Sequence, residues 1–316
     1  MKPLRASPAS AKRTAALAKL SMACVRLLPF WATATLASAL GALAAAIDRK
    51  HARIMRRQMR LAFGESLSER EIGCLARRCY RHEALVFMEL ARTATIDAAW
   101  ARRHIDSSQA SLGKPLKESG KGVLVITGHI GNWELLAHAA AFSGYPVTAL
   151  ARPLKNPYLN AELERLRTRT GNKIRHKVNS ISEIRRILDR GEWACFIYDQ
   201  NGGPKDAFVP FFGVPAATWR SASFLHWKCQ APIAVVTLSR ENWLGSRFRL
   251  NVHRVLHPIP GEDRETCERR TLAEINLAFE EAIRAHPEQW LWQHRRWKTR
   301  PPGEESRLLD GVPVFE

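Results

Sequence analysis

Apolar and polar positions along this chain change period repeatedly, and the changes mark its elements. Val123-Leu124-Val125-Ile126 is an unbroken apolar run, mostly β-branched, and predicts a buried strand. Gly128 and Gly131 then bracket a tight turn. Asn132 stands where a helix cap belongs, with Glu134 in the first helical turn. Upstream, Ser68 predicts the start of a long helix to about Thr93, with Glu71 in capping-box position and Ile72, Leu75, Cys79, Leu85, Val86 and Leu90 near helical spacing. A helical stretch over Ser108–Ser119 leads into the central strand. Downstream, strands are expected at Pro146–Leu150, Trp193–Tyr198, Pro232–Leu238 and Phe248–Leu256. Between and after them come helices at Tyr158–Thr170, stopped by Gly171; at Ser180–Arg190, with Ser180 and Glu183 as a capping box; at Thr218–Cys229; and at Thr271–Ala285. Strands alternating with helices predict an α/β fold with a largely parallel central sheet flanked by helices.

The N-terminal pattern differs. Residues 1–26 are basic and polar, with a poorly ordered start expected. Residues 27–47 carry no charge, and that length matches a bilayer core of roughly 30 Å. The preferred reading is a membrane-anchoring helix. The alternatives are a helix lying in the interface and a signal peptide cleaved near Ala37-Ser38-Ala39. Residues 48–63 read as a basic amphipathic helix offering Ile54, Met55, Met59 and Phe63 to a membrane surface or to a core. The domain expected over 48–316 is cytoplasmic, because a basic cluster follows Ile47, although basic residues also precede the segment.

The net charge is +19, which implies an anionic partner: nucleic acid, an anionic membrane surface, a phosphorylated substrate or an acidic protein. Six cysteines without a Cys-x2-Cys pair fit reduced thiols better than a disulfide scaffold or a zinc site.

His129 in the turn and Glu134 in the first helical turn stand where their side chains can meet. A carboxylate there is favoured in its ionised form by the helix N-terminus. It can hold one imidazole nitrogen and leave the other to take a proton. A histidine that merely satisfies the turn has the same spacing. In a parallel sheet, sites form beyond the carboxyl ends of strands; His129, Arg152 and Asp199 each lie just past one.

Gly128-His129-Ile130-Gly131-Asn132-Trp133-Glu134 resembles the His-x4-acid motif of the bacterial lipid A biosynthesis acyltransferases, within the glycerolipid acyltransferase superfamily. Arg152-Pro153-Leu154-Lys155-Asn156-Pro157, Asp199-Gln200, the Val209–Ala216 stretch and the Pro287–Lys298 stretch resemble further blocks of that family, in its order. The resemblance runs from about Leu27 to Pro301. It implies catalytic weight on His129 and Glu134, an arginine matched to Arg167, and the acid Asp199. It also implies acyl carrier protein as thioester donor, a lipid A precursor as acceptor, no metal or organic cofactor, and a catalytic domain on the cytoplasmic side of the inner membrane.

The expected mechanism has Glu134 orienting His129, which deprotonates a substrate hydroxyl that attacks the thioester. Backbone N–H groups near Gly131 or a basic side chain would hold the oxyanion. Arg152 or Arg167 would bind phosphate, with Asp199 pairing to one of them. Phe211-Phe212-Gly213 is expected to wall an acyl groove or to pack in the core. The tryptophans from Trp290 to Trp297 fit a structural or membrane-facing role better than base stacking. A second enzyme reading changes the partners to acyl-CoA and a glycerolipid, ornithine lipid or phosphoglycolipid. A third is a basic membrane- or nucleic-acid-binding protein without catalysis.

Overall fold

The structure is a computed structural model that describes residues 7–176 and 180–304. Four helices come first: α1 (Pro8–Leu27), α2 (Phe30–Ile47), α3 (Arg49–Phe63) and α4 (Glu69–Arg92). The segment α5 (Ala98–His104), β1 (Ile105–Asp106) and α6 (Lys114–Glu118) leads to β2 (Val123–Thr127). Then follow α7 (Trp133–Phe142), β3 (Val147–Ala151), α8 (Pro157–Thr168), β4 (Lys173–His176), α9 (Ser180–Asp189) and β5 (Trp193–Ile197). The chain continues through β6 (Ala207–Phe211), β7 (Val214–Thr218), α10 (Ser221–Cys229), β8 (Ile233–Arg240), β9 (Phe248–Leu256) and α11 (Arg264–Ala285).

Seven strands form one sheet in the order β1-β9-β8-β2-β5-β3-β4, parallel at every pairing except β8 with β9. The expected α/β fold with a largely parallel sheet is what forms. All five β2 residues are buried, as its apolar run demands. Side chains alternate across the sheet: Leu124 and Ile126 join a core with α9, α10 and α11, while Val123 and Val125 pack with Leu116, Val147 and Ala234.

Local signals hold at several caps. Ser68 and Glu71 form the reciprocal capping box of α4. Asn132 accepts from Leu135 N–H at 2.9 Å and caps α7. The capping box expected at Ser180 involves a side chain outside the described residues.

The start of the chain, where poor order was expected, lies outside the described residues, and the apolar and the basic amphipathic helices expected after it both form. Pro8–Leu27 is helical, with Pro8 in its first turn and Ser7 as cap. Helix α2 is long and apolar enough to cross a membrane, yet it lies along α4. Its small residues Thr33, Ala34, Ala37 and Gly41 are buried, and a Cβ on Gly41 would sit 2.5 Å from Arg81 Cα. The helices approach that closely because one face of α2 is made of small side chains. Helix α3 turns its apolar face inward: Ile54, Met55 and Met59 are buried, and Met55 and Met59 belong to the main core. They face protein rather than lipid.

The Val209–Ala216 stretch is part of a β6–β7 hairpin that the alternation of apolar residues did not announce. Its two-residue loop places Phe212 at φ 51° and Gly213 at φ 73°, the sign pattern of a hairpin turn whose twist matches its strands. Phe212 tolerates this because Glu280 accepts its N–H at 2.7 Å and Arg284 lies 4.6 Å from its ring centroid. Phe211 and Phe212 pack with Trp290 and Trp297 in the core. The core reading of this block is the correct one, and none of Phe211, Phe212 and Gly213 lines the cleft beside His129.

The tryptophan segment is likewise internal. Trp290, Trp292 and Trp297 are almost fully buried, and each indole N–H donates to a protein oxygen. Arg296 beside them is buried too. It donates to Ala217 O at 2.6 Å and Thr218 Oγ1 at 2.8 Å, and burial pulls its guanidinium down to about 10. Neither base stacking nor a membrane-facing role is open to these rings.

Candidate active site

Strands β2, β5 and β3 are parallel neighbours, so their carboxyl ends open on one edge of the sheet. His129 follows β2, Asp199 follows β5 and Arg152 follows β3. The register carries past the strands: Tyr198 N–H donates to Thr127 O at 2.8 Å, and His129 N–H then donates to Asp199 Oδ2 at 2.7 Å. The His129 side chain meets the same carboxylate, with Nδ1 3.0 Å from Asp199 Oδ1. Trp290 Nε1–H donates to Asp199 Oδ2 at 2.8 Å.

This corrects the expected pairing. The carboxylate on His129 is Asp199, not Glu134, and Asp199 pairs with the histidine rather than with an arginine. Glu134 instead takes Arg167 in a two-point ion pair, Nε to Oε2 at 2.9 Å and Nη2 to Oε1 at 2.5 Å. The sequence rule that joined His129 to Glu134 was local. The partner that forms is set by sheet register.

Burial disfavours the His129 imidazolium, but the Asp199 carboxylate, aided by Glu134, outweighs it and raises the pKa above 6.5. Asp199 feels the reverse: burial pushes its carboxyl up, and His129 and Trp290 bring it below the usual value. The aspartate is therefore ionised and fixes the proton on Nδ1, leaving Nε2 as the basic nitrogen. Trp133 packs edge-on against the imidazole with centroids 5.2 Å apart.

The turn holding His129 is tightly built. Gly131 has φ 64°, and a Cβ there would stand 2.0 Å from Leu238 O. Its carbonyl accepts from His82 Nε2 at 3.1 Å; burial drives His82 down to about 3, so that ring is neutral. The N–H groups of Gly131 and Asn132 donate to Gln289 O and Leu238 O, each at 2.8 Å. The oxyanion donors expected at Gly131 are therefore already engaged. The Trp133 and Glu134 N–H groups, at the start of α7, have no hydrogen-bond acceptor among the described residues.

A cleft of about 1050 Å³ runs from His129. Leu136, Leu150, Leu163, Ile174, Ile184, Phe196 and Phe224 supply apolar wall; Arg152, Arg167, Arg220 and Arg264 supply positive charge. Arg152 is exposed and makes no hydrogen bond or ion pair with a described residue. Arg220 is committed to Glu268, and Arg264 lies 5.4 Å from the Phe224 ring centroid. Among the described residues, no group of three or more His, Cys, Asp or Glu stands together as a metal site.

A basic histidine, its buried aspartate and an apolar cleft rimmed by arginines are the parts an acyl-transfer site needs. The profile of the family described as bacterial lipid A biosynthesis acyltransferases matches residues 9–299. The chain belongs to this family. It is similar to the lipid A biosynthesis palmitoleoyltransferase of Escherichia coli (strain K12), 28% identical over 284 residues, covering 89% of this chain and 90% of that protein. It is also similar to the lauroyltransferase of the same strain, 27% identical over 287 residues, covering 89% and 90%. A lipid A biosynthesis acyltransferase of Haemophilus influenzae is 23% identical over 212 residues, covering 65% and 64%.

In this acyltransferase, His129, Glu134, Arg152 and Arg167 all line one cleft, with Asp199 directly behind the histidine. Three contributors escaped the sequence reading. Trp290 holds Asp199 from the far side, and its indole was visible only as one ring of a tryptophan-rich block. His82 on α4 grips the turn, and no local signal marks it. Glu83 beside it is pushed by burial up to about 8 and accepts from Gln293 Nε2 at 2.5 Å.

Proposed function

We propose that this acyltransferase moves a fatty acyl chain from an acyl carrier protein thioester to a hydroxyl of a lipid A precursor at the cytoplasmic face of the inner membrane. The observation that carries the mechanism is the His129–Asp199 contact at the head of the cleft. Nδ1–H of His129 donates to Asp199, and Nε2 removes the proton from the acceptor hydroxyl. The oxygen forms a bond to the thioester carbonyl carbon. The resulting oxyanion is met by the Trp133 and Glu134 N–H groups and by the positive end of α7. Collapse breaks the C–S bond, and the departing sulfur takes the proton back from His129. General-base assistance of this kind contributes roughly 10²–10⁴-fold.

The cleft's apolar walls suit an acyl chain, each buried methylene contributing roughly 0.8 kcal/mol. Arg152 has no partner to surrender among the described residues and suits a phosphate of the acceptor. The Glu134–Arg167 pair holds a carboxylate near His129 and adds to its basicity. Helix α2 supports the membrane location: Trp31, Leu36, Leu40, Leu43 and Ile47 are exposed on the side away from α4.

The test is transfer of radiolabelled acyl chains from acyl carrier protein to a lipid A precursor by purified protein. Loss of at least about 10²-fold in kcat is expected for His129→Ala. Near-normal turnover in that variant refutes the mechanism. Turnover with acyl-CoA and a glycerolipid, ornithine lipid or phosphoglycolipid, but not with the carrier-protein substrate, would move the assignment to the second set of partners.

A further inference from the structure

A second cavity, of about 510 Å³, shares Asn201 with the active-site cleft. Lys50, His51, Gln293, His294, Arg295 and Lys298 line the rest of its polar wall. Lys50, Arg295 and Lys298 make no ion pair or hydrogen bond through their side chains to any described residue. Three cations with no carboxylate partner among the described residues thus surround one hollow. Lys50 and His51 lie in the first turn of the fifteen-residue helix α3, whose positive end adds to the field.

The carboxylates near this cavity offset only part of that charge. Asp48 caps α3 and is engaged by His51, accepting from its N–H at 3.2 Å and lying 2.7 Å from its Nδ1. Glu83 stands behind Gln293, which donates to it, and burial raises its carboxyl to about 8, so it is mostly neutral near pH 7. His294 Nε2 accepts the Asn201 N–H at 2.9 Å, which puts the ring proton on Nδ1 as a further donor. His294 also lies close enough to His129 and Asp199 for their charges to act on it. The cavity is thus next to the reacting histidine.

We propose that this cavity is a phosphoryl-binding site that holds a phosphate mono- or diester of one of the two substrates while the acyl chain occupies the cleft. Three cations and a helix N-terminus match the several acceptor oxygens of a phosphoryl group better than a carboxylate, and the Arg295 guanidinium can offer paired donors to two of those oxygens. The phosphoryl group belongs either to the donor, as a phosphodiester on its thiol-bearing arm, or to the acceptor, as a phosphate on its sugar. The inference rests on the acyl-transfer reading for the identity of those substrates.

The experiment uses the full chain, with Lys298→Glu and Arg295→Gln as test variants and Arg102→Glu on α5 as a charge control. Titration with inorganic pyrophosphate at physiological salt reads the site without any catalysis. Each test variant is expected to weaken binding about tenfold or more, the control is expected to leave it unchanged, and Lys298→Arg is expected to retain it. Steady-state kinetics with acyl carrier protein donor and phosphorylated lipid A precursor read the source. A KM rise of about tenfold for one substrate alone, with kcat within about twofold, assigns the phosphoryl group to that substrate. Equal pyrophosphate affinity in test and control variants overturns the site. Weakened pyrophosphate binding with both KM values unchanged overturns its role in substrate binding. Weakened pyrophosphate binding in a protein that transfers no acyl group with any substrate pair keeps the site and discards the acyl-transfer reading instead.

Discussion

At His129 two effects of opposite sign meet. Burial lowers the affinity of the imidazole for a proton; the Asp199 carboxylate at 3.0 Å raises it and prevails. A general base must be neutral before it acts, so kcat/KM is expected to rise with pH through a pKa above 6.5. Asp199→Asn removes the charge that raises the pKa and leaves the burial that lowers it. The rising limb of the profile is therefore expected to move to lower pH, while the plateau falls about 10²-fold or more because nothing fixes the tautomer. Glu134→Gln removes a weaker contribution and is expected to move the limb in the same direction by less. A limb that stays in place in Asp199→Asn, and shifts most in Glu134→Gln, would restore the pairing expected from spacing. At Gly131 the constraint is steric. A Cβ would lie 2.0 Å from the Leu238 carbonyl at a φ that L-residues rarely adopt, so Gly131→Ala is expected to cost more than about 2 kcal/mol in denaturant unfolding. A midpoint equal to wild type would mean that the turn has another conformation.

At the scale of elements, the N-terminus of α7 is locked by residues far apart in the chain. Asn132 caps the helix with its oxygen and donates its Nδ2–H to Glu89 Oε2 at 2.7 Å; the same carboxylate is paired with Arg240 on β8. Both ions are buried, and Arg240 also lies 4.7 Å from the Phe248 ring centroid. Removing one partner of a buried pair leaves an uncompensated charge, so Arg240→Met is expected to destabilise by about 3–5 kcal/mol. The Glu89→Leu/Arg240→Met double variant is expected to recover much of that loss in the same unfolding assay. A double variant no better than Arg240→Met would show that the cost comes from packing instead. These contacts also show what the sequence could and could not disclose. The Asn132 cap, the Ser68 capping box and the apolar β2 run obey rules that act within a few residues, and all were legible. The partners Glu89, Arg240 and Asp199 are brought in by helix packing and parallel register, which no local pattern encodes. The strand-end positions of His129 and Asp199 were readable; that β2 and β5 are neighbours was not. The β6–β7 hairpin escaped because its turn places Phe212, rather than an asparagine or glycine, at a positive φ.

For the whole molecule, charge and greasy surface are arranged together. The chain carries a net charge of +19, and the exposed large apolar side chains of its N-terminal helices include Leu17, Leu20, Trp31, Leu40, Leu43 and Ile47. Helix α2 buries its small residues on α4 and turns its large ones outward. Under the proposed membrane location, these outward side chains are the ones that would meet lipid, with the arginines of α3 as electrostatic support. Each large outward side chain transferred to lipid contributes on the order of 1 kcal/mol or more. Leu36→Glu, Leu40→Glu and Leu43→Glu together are therefore expected to weaken vesicle binding at least about tenfold. The fold is expected to survive, because none of the three leucines belongs to the buried face. Co-sedimentation with anionic phospholipid vesicles measures the loss, and transfer to detergent-dispersed acceptor is expected to continue at near wild-type kcat. Raising salt should weaken the wild type further by screening the arginines while leaving the apolar contribution. A triple variant that sediments with vesicles as the wild type does would place the membrane contact elsewhere on the surface, and the outward leucines of α2 would then need another partner.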